Sequence, residues 1–305
     1  MFYFVINKKS GSYNKLDEEK IRKKATEYFK DQFKIVYTIA KNGSFAPDLD
    51  PNNLTDKDTL VAVGGDGTLN LCLNFIHNNN ISKNLKLGLI PRGTGNNMLV
   101  ALKLSKDIDK SLKILKRMDT TELQYGIVND KHCFFNCSAG FSAYVLKNRK
   151  FKSRSGYIFD LILNYDYKPD LSEISFDNKT IKERFFHLYF INTTHYLSMV
   201  PFLSNNSSDG NIHLFHTKKV NMLKNMSLIS SMVINGGDLE VERSQNFKLT
   251  PGSNCFVEID GDCIPKYDDY SFKFAGKVSI ISNIGSCVEN SITEKITQSI
   301  FLNRK

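Results

Sequence analysis

Through the first third of the chain, short apolar runs alternate with stretches whose apolar positions recur every three or four residues. The runs at 2–6, 34–38, 59–63 and 86–90 predict strands. Between the first two, Leu16, Ile21, Ala25 and Phe29 keep nearly helical spacing amid charges; 69–77 and 97–104 predict helices after the third and fourth strands. Ser105 then predicts an N-cap for a helix that uses Ile108, Leu112 and Leu115 and ends in basic residues. Such alternation is the mark of a parallel sheet covered by helices. From residue 124 the pattern changes to short β-rich segments at 124–128, 132–137, 185–192, 211–216, 255–259 and 277–281, separated by Asn, Ser, Asp and Gly clusters. A mostly antiparallel second part is expected, with helices at 157–165 and 220–235. The methionine-bearing face of the latter (Met222, Met226, Met232) reads as core rather than as a lipid groove. The division expected is 1–123, 124–288 and a terminal helix at 289–305, marked by Ile292, Ile296 and Ile300, that packs on the first domain.

Composition narrows the class. With 305 residues, 41% of them hydrophobic, the chain can bury two substantial cores. Its 41 Lys and Arg against 32 Asp and Glu leave a charge of +9, which favours an anionic partner: nucleotide, nucleic acid or phospholipid headgroups. No recognition motif for nucleic acid accompanies that charge. No apolar run approaches the roughly 18 residues that span a bilayer, and the first strand lacks the basic leader of a signal peptide. Cys72, Cys133, Cys137, Cys255, Cys263 and Cys287 lie in apolar contexts without metal-ligand spacing, so reduced, mostly buried thiols and a cytoplasmic setting are expected. His132, His187, His195, His213 and His216 have no metal or triad partner in the sequence and read as structural.

Two glycine-rich turns carry the chemistry. Gly64-Gly65-Asp66-Gly67-Thr68 follows the third predicted strand and Pro91-Arg92-Gly93-Thr94-Gly95-Asn96 the fourth. Glycine lets backbone N–H groups approach phosphate oxygens closely, and a helix beginning just beyond adds its positive end. In a parallel sheet both turns fall at the carboxyl ends of strands, where ligands collect. Asp66 stands inside the first turn, fit to act as a base or to hold Mg²⁺ through water, with Thr68, Thr94 and Arg92 around it. Tight turns without a ligand are the plainer alternative.

With these residues in place, the chain resembles the diacylglycerol kinase catalytic-domain family, in particular its small soluble bacterial lipid kinases, which are related to sphingosine and ceramide kinases. The first turn matches the family's Gly-Gly-Asp-Gly-Thr and continues with the matching Leu69 and Asn70; the second matches its Pro-x-Gly-Thr-Gly-Asn. Asn7-Lys8-Lys9-Ser10-Gly11 is similar to its N-terminal nucleotide motif, with Lys8 in place of the usual proline. Phe135-Asn136, Gly140-Phe141, Ala143, Gly156-Tyr157, Asp209-Gly210, Asp260-Gly261 and Pro265 follow in family order. The resemblance implies an N-terminal α/β nucleotide-binding domain like those of phosphofructokinase and NAD kinase, a C-terminal antiparallel β-sandwich domain, and an active site in the cleft between them.

It also implies ATP and Mg²⁺ as cofactors and a lipid hydroxyl as acceptor. The phosphates would lie on Gly64, Gly65, Gly67, Thr68, Gly93, Thr94 and Gly95, with Asn7, Ser10, Gly11, Thr38, Asn70 and Asn96 lining the nucleotide and Arg92 offsetting developing charge. Asp209, with carbonyls of Asn206 and Asn211, would hold a separate structural Mg²⁺, unless Asp209-Gly210 is only an Asx-turn. Three departures stand out: Asn97 and Ser142 replace aspartates, and the family's Asp-Gly-Glu reads Asp260-Gly261-Asp262. The last shortens the reach of a carboxylate regarded as catalytic base by roughly 1.5 Å. Asp66 is therefore the first candidate base and Asp262 the second; Asp66→Asn is expected to stop turnover while leaving the fold largely intact.

Lys147, Arg149, Lys150, Lys152 and Arg154 crowd beside Phe151, Tyr157, Ile158 and Phe159. The run is either a solvated loop or a site for peripheral docking on an anionic membrane surface. Alternatives to a lipid kinase are a nucleotide- or lipid-binding module with little catalysis and a kinase of a soluble acceptor such as NAD. Composition leaves the oligomeric state open.

Overall fold

The computed structural model describes residues 1–10, 13–41, 44–81, 84–93, 97–150, 154–192, 195–196, 200–201, 209–218 and 240–284. Its first part runs β1 (Phe2–Ile6), α1 (Lys15–Phe29), β2 (Phe33–Lys41), β3 (Ser44–Pro47), β4 (Thr59–Gly64), α2 (Asp66–Asn78), β5 (Lys86–Pro91), α3 (Asn97–Ala101) and α4 (Ile108–Arg117). Strands β2, β1, β4 and β5 are parallel neighbours, and β3 returns antiparallel on β2. Both faces are covered, as a parallel sheet requires. Along β1, Tyr3 and Val5 point into a core with Leu69, Cys72, Leu73 and Ile76 of α2, while Phe4 and Ile6 point into a second core with α1 and α4.

The helices start and stop for local reasons. Asn14 caps α1 by accepting from the N–H of Asp17 at 2.8 Å, and Asp17 and Glu18 sit in its first turn, where the helix dipole favours acids. Its buried face is Ile21, Ala25 and Phe29; Leu16, expected there, is 75% exposed because it lies in the first turn before the helix meets the sheet. Asp107, not Ser105, caps α4, accepting from Lys110 N–H at 2.9 Å, while the Ser105 hydroxyl accepts from Asp107 N–H one step earlier.

The remainder is β6 (Thr120–Val128), β7 (His132–Phe134), β8 (Asn136–Gly140), α5 (Phe141–Lys147), α6 (Arg154–Leu163), β9 (Ser172–Phe176), β10 (Lys179–Glu183), β11 (Phe185–Ile191), β12 (His195–Tyr196), β13 (Val200–Pro201), β14 (Ile212–Lys218), β15 (Glu240–Ser244), β16 (Asn246–Thr250), β17 (Val257–Ile259), β18 (Asp262–Cys263) and β19 (Tyr270–Ile281). The stretch expected as one strand at 132–137 is two, because Phe135 marks the step from one sheet to the other.

A six-stranded sheet, β15-β14-β11-β8-β17-β18, is antiparallel throughout. It packs on strands that extend the first sheet: β19 pairs with β5 at Ile280 and Leu87, with β6 along most of its length, and with β16, which carries β9 and β10. Between the two layers lie Cys137, Leu188, Phe190, Leu214, Phe247, Val257, Ile259 and Phe272. Phe190 and Phe272 stack across this gap with centroids 3.8 Å apart, a contact worth about 0.5–1.5 kcal/mol beyond burial. The predicted helix at 220–235, the tail at 289–305 and Cys287 lie outside the described residues. Of the described cysteines only Cys263 is exposed, and no described helix is long and apolar enough to cross a membrane.

Candidate active site

Both glycine turns emerge side by side. Gly64 ends β4 opposite Pro91 of β5, and the N–H of Arg92 donates to the Gly64 carbonyl. Gly64 must be glycine: a Cβ there would lie 2.2 Å from the Thr68 hydroxyl, which folds back over the turn. Gly65 caps α2, so the first turn of a 13-residue helix opens toward the strand ends with its N–H groups forward. Asn7, just past β1, donates from Nδ2 to the Thr68 hydroxyl at 3.3 Å and accepts from the Thr38 hydroxyl at 3.5 Å. The Ser10 hydroxyl donates to the Arg92 carbonyl at 2.6 Å. Asn7, Ser10, Thr38, Gly64–Thr68 and Arg92 are thus one cluster; Gly11, Thr94, Gly95 and Asn96 lie outside the described residues.

Asp66 holds the second turn rather than facing open space. Its Oδ2 accepts from Asn97 N–H at 2.6 Å and its Oδ1 from Met98 N–H at 3.0 Å, so the carboxylate fastens the start of α3 to the start of α2. Burial pushes its carboxyl pKa up against the opposing pull of those two amides. Two further placements differ from expectation. The Arg92 guanidinium turns toward α1, with Nε 3.0 Å from an Asp17 carboxylate oxygen and Nη1 donating to the Lys106 carbonyl at 2.8 Å. Asn70 points to the other side of α2, donating to the Cys133 carbonyl at 2.6 Å and to Asp260 Oδ2 at 2.8 Å.

Opposite the first turn stands the β17–β18 hairpin. Asp260 (φ 48°) and Gly261 (φ 96°) both adopt the left-handed backbone of a two-residue hairpin turn, the conformation Asp-Gly favours. The Asp260 carboxylate is buried, accepting from Phe135 N–H at 3.1 Å and Asn136 N–H at 2.9 Å as well as from Asn70. Glu258, 2% exposed, accepts from the Ser138 hydroxyl at 2.7 Å and from Gly261 N–H at 2.8 Å; Ser138 in turn meets Ser142, their hydroxyl oxygens 3.0 Å apart. Held from both sides, the hairpin sets Asp262 over the first glycine turn, where a Cβ on Gly67 would come within 2.7 Å of Asp262 Oδ2. The protein around it pushes the Asp262 carboxyl above the usual carboxylate range although its edge is open to solvent. A basic oxygen facing a glycine turn can take a proton from a hydroxyl bound beside that turn.

Sequence reasoning passed over Asp260, Glu258 and Ser138 as site residues. A signal existed for the first two: Val257-Glu258-Ile259 alternates as a strand and runs into the Asp-Gly turn. Ser138 joins them only through the pairing of β8 with β17.

Burial, aided by the charges of Asp66 and Glu258, pushes the Asp260 pKa up to about 8. Between about pH 4 and 8 the folded chain then keeps a proton that the unfolded chain has released, so stability falls as pH rises through that window. The thermal midpoint is expected to decline over this range in the wild type and to flatten in Asp260→Asn; parallel profiles would show that Asp260 does not titrate there.

Asp209 lies apart from this cluster. Its Oδ1 accepts from Asn211 N–H at 3.0 Å, an Asx-turn, and its Oδ2 is 3.1 Å from His213 Nε2. Asn206 lies outside the described residues. Among the described residues no group of three His, Cys, Asp or Glu side chains is arranged to hold a metal ion.

Residues 1–128 match the diacylglycerol kinase catalytic domain. A protein of Streptococcus pneumoniae serotype 4 that carries a provisional lipid-kinase name is 26% identical over 271 residues, 85% of this chain and 90% of that protein. The YegS protein of Salmonella dublin, also provisionally named a lipid kinase, is 30% identical over 128 residues, 40% of this chain but only 43% of its own length. Two crystal structures from Bacillus anthracis str. Sterne, one provisionally named a diacylglycerol kinase and the other named as one, superpose with TM-scores of 0.71 and 0.65. Each covers 93% of this chain and 97% of its own at 17% identity, a likeness of fold. The chain therefore has the α/β plus antiparallel β fold of these proteins, and its resemblance to the diacylglycerol kinase family is borne out.

Proposed function

We propose that this chain, with a diacylglycerol kinase catalytic domain at its N-terminal end, is an ATP-dependent lipid kinase that phosphorylates the hydroxyl of a diacylglycerol-like or sphingoid-like acceptor. The observation that carries this is the approach of Asp262 to Gly67: a carboxylate with a raised pKa faces a glycine turn built for phosphate. Bound on the two turns, ATP would supply the phosphoryl group. The amides of the first turn hold the phosphates, and Asn7, Ser10 and Thr38 line the same end of the sheet. Asp262 takes the proton from the acceptor hydroxyl as that oxygen forms the new bond to the γ-phosphorus and the bond from this phosphorus to the β,γ-bridging oxygen breaks, with ADP as the leaving group. Asp66 acts as a positioning residue, keeping the second turn beside the first. Mg²⁺ would accompany the triphosphate as its counter-ion.

The test is incubation with γ-labelled ATP and a mixture of diacylglycerol, a sphingoid base and NAD, followed by identification of the labelled product. Label in a lipid is the expected result. Label in NAD with inert lipids would transfer the site to a soluble acceptor, and nucleotide binding without any labelled product would leave a binding module.

A further inference from the structure

Asp262 stands on the shortest strand of its sheet. β18 has two residues, lies at the sheet's edge and, among the described strands, pairs with β17 alone. A reacting group must be held within about 0.5 Å of its working position, and a misplacement of about 1 Å can cost about 10²-fold in rate. A two-residue ladder is a weak support for such a group.

Both neighbours of Asp262 are tied to the start of α5. On one side, Gly261 N–H donates to Glu258 Oε2 at 2.8 Å, Glu258 Oε1 accepts from the Ser138 hydroxyl at 2.7 Å, and the Ser138 and Ser142 hydroxyl oxygens are 3.0 Å apart. On the other, Cys263 Sγ donates to the Ala143 carbonyl at 3.7 Å. Ser142 and Ala143 are consecutive residues in the first turn of α5, a helix that packs against β17 and β18. Gly140 makes this possible. Its left-handed backbone (φ 82°) turns β8 directly into α5 and brings Ser142 beside Ser138, and a Cβ there would lie 2.7 Å from the Phe186 carbonyl. Glu258, Ser138 and Ser142 are all buried, so the chain of hydrogen bonds runs where water competes little. An apolar residue would bury at 258 without the desolvation cost of a carboxylate, so core packing does not account for Glu258.

We propose that Glu258 is a positioning residue for phosphoryl transfer: it clamps the Gly261 amide to the start of α5 through Ser138 and Ser142 and so fixes Asp262 over the first glycine turn. The assignment rests on the reading of Asp262 as the base. What Glu258 contributes is acceptor oxygens at a set reach. Aspartate at 258 keeps the charge but falls short by about 1.5 Å and cannot hold both partners. Glutamine keeps the reach: its oxygen accepts from Gly261, its NH₂ donates to Ser138, and the Ser138 hydroxyl reverses to donate to Ser142.

The test measures kcat with γ-labelled ATP and a short-chain diacylglycerol or sphingoid base, whichever the wild type phosphorylates, together with nucleotide affinity by calorimetric titration. Glu258→Asp is expected to lower kcat about tenfold or more at unchanged nucleotide affinity, and to keep the carboxylate limb of the pH profile, because Asp262 is present but displaced. Glu258→Gln should recover most of that loss. Ser138→Ala leaves the Glu258 carboxylate one partner short without altering the hairpin and should lower kcat about threefold to tenfold. Wild-type kcat in Glu258→Asp overturns the proposal whatever its melting temperature, and Ser138→Ala decides in the same way if Glu258→Asp does not fold. A loss in Glu258→Gln equal to that in Glu258→Asp also overturns it, since charge rather than reach would then be what matters. A wild type that labels neither acceptor, or near-wild-type turnover in Asp262→Asn, removes the kinase or base reading itself; loss in Asp262→Asn with none in Glu258→Asp sinks the clamp alone.

Discussion

Asp262→Asn is expected to lower turnover on a lipid acceptor by about 10²–10⁴-fold, the range for loss of a general base, while moving the melting temperature little. The side chain stands at the edge of a two-residue strand, exposed on one side, and its role in the fold is small. What it contributes is an oxygen beside Gly67, with a pKa raised by burial so that it accepts a proton more readily than an ordinary aspartate. The pH profile gives the sign. A base works unprotonated, so wild-type turnover should rise with pH through a carboxylate step above the usual range near 4, and that limb should vanish in the variant. Near-wild-type turnover would move the base elsewhere. Gly67→Ala should reproduce part of the loss from the opposite side, because the new methyl would displace the Asp262 carboxylate rather than the backbone.

Asp66→Asn should fail differently. A carboxylate offers an acceptor to each of the Asn97 and Met98 amides, whereas an asparagine offers one oxygen and turns an NH₂ toward the other N–H. Leaving that buried donor unpaired costs about 1–3 kcal/mol, visible by chemical denaturation, and loosens the second glycine turn. Turnover is expected to fall about 10²-fold or more, with nucleotide affinity weakened in calorimetric titration; a full loss of turnover at unchanged stability and affinity would restore Asp66 as the base. The sequence alone suggested that this charge could be removed without loss of shape. The two amides are the reason a stability cost is expected instead.

How far the chain could be read follows from how far each contact reaches. Strands and helices of the first part were legible because their signals are local: a buried parallel strand is a short apolar run; α2 nonetheless starts at Asp66, before the expected 69, because Gly65 caps it inside the glycine turn. Asn7, Thr38 and Thr68 were implied as neighbours by the family resemblance, and the parallel strands bring them together because their carboxyl ends lie side by side. The turn of Arg92 toward Asp17 was not legible because Asp17 sits 75 residues earlier on a helix whose rotation no local pattern states. The placement of Asn70 was hidden for the same reason, since only the meeting of α2 with the second sheet decides which side of the helix faces Asp260. Glu258 and Ser138 are polar residues at full burial, a combination that composition disfavours and only the completed network permits.

Strand β19 carries a consequence for synthesis. It is the neighbour that closes the open side of β5, yet Ile280 and its partner Leu87 are separated by most of the chain. Translation at about 5–20 residues per second would leave that edge waiting on the order of 10–40 s, with unpaired N–H and C=O groups beside an already apolar layer. The nascent N-terminal half is therefore open to off-register pairing until its distant partner strand arrives, and a destabilised β19 should show itself first as aggregation during expression rather than as lost turnover in the protein that survives.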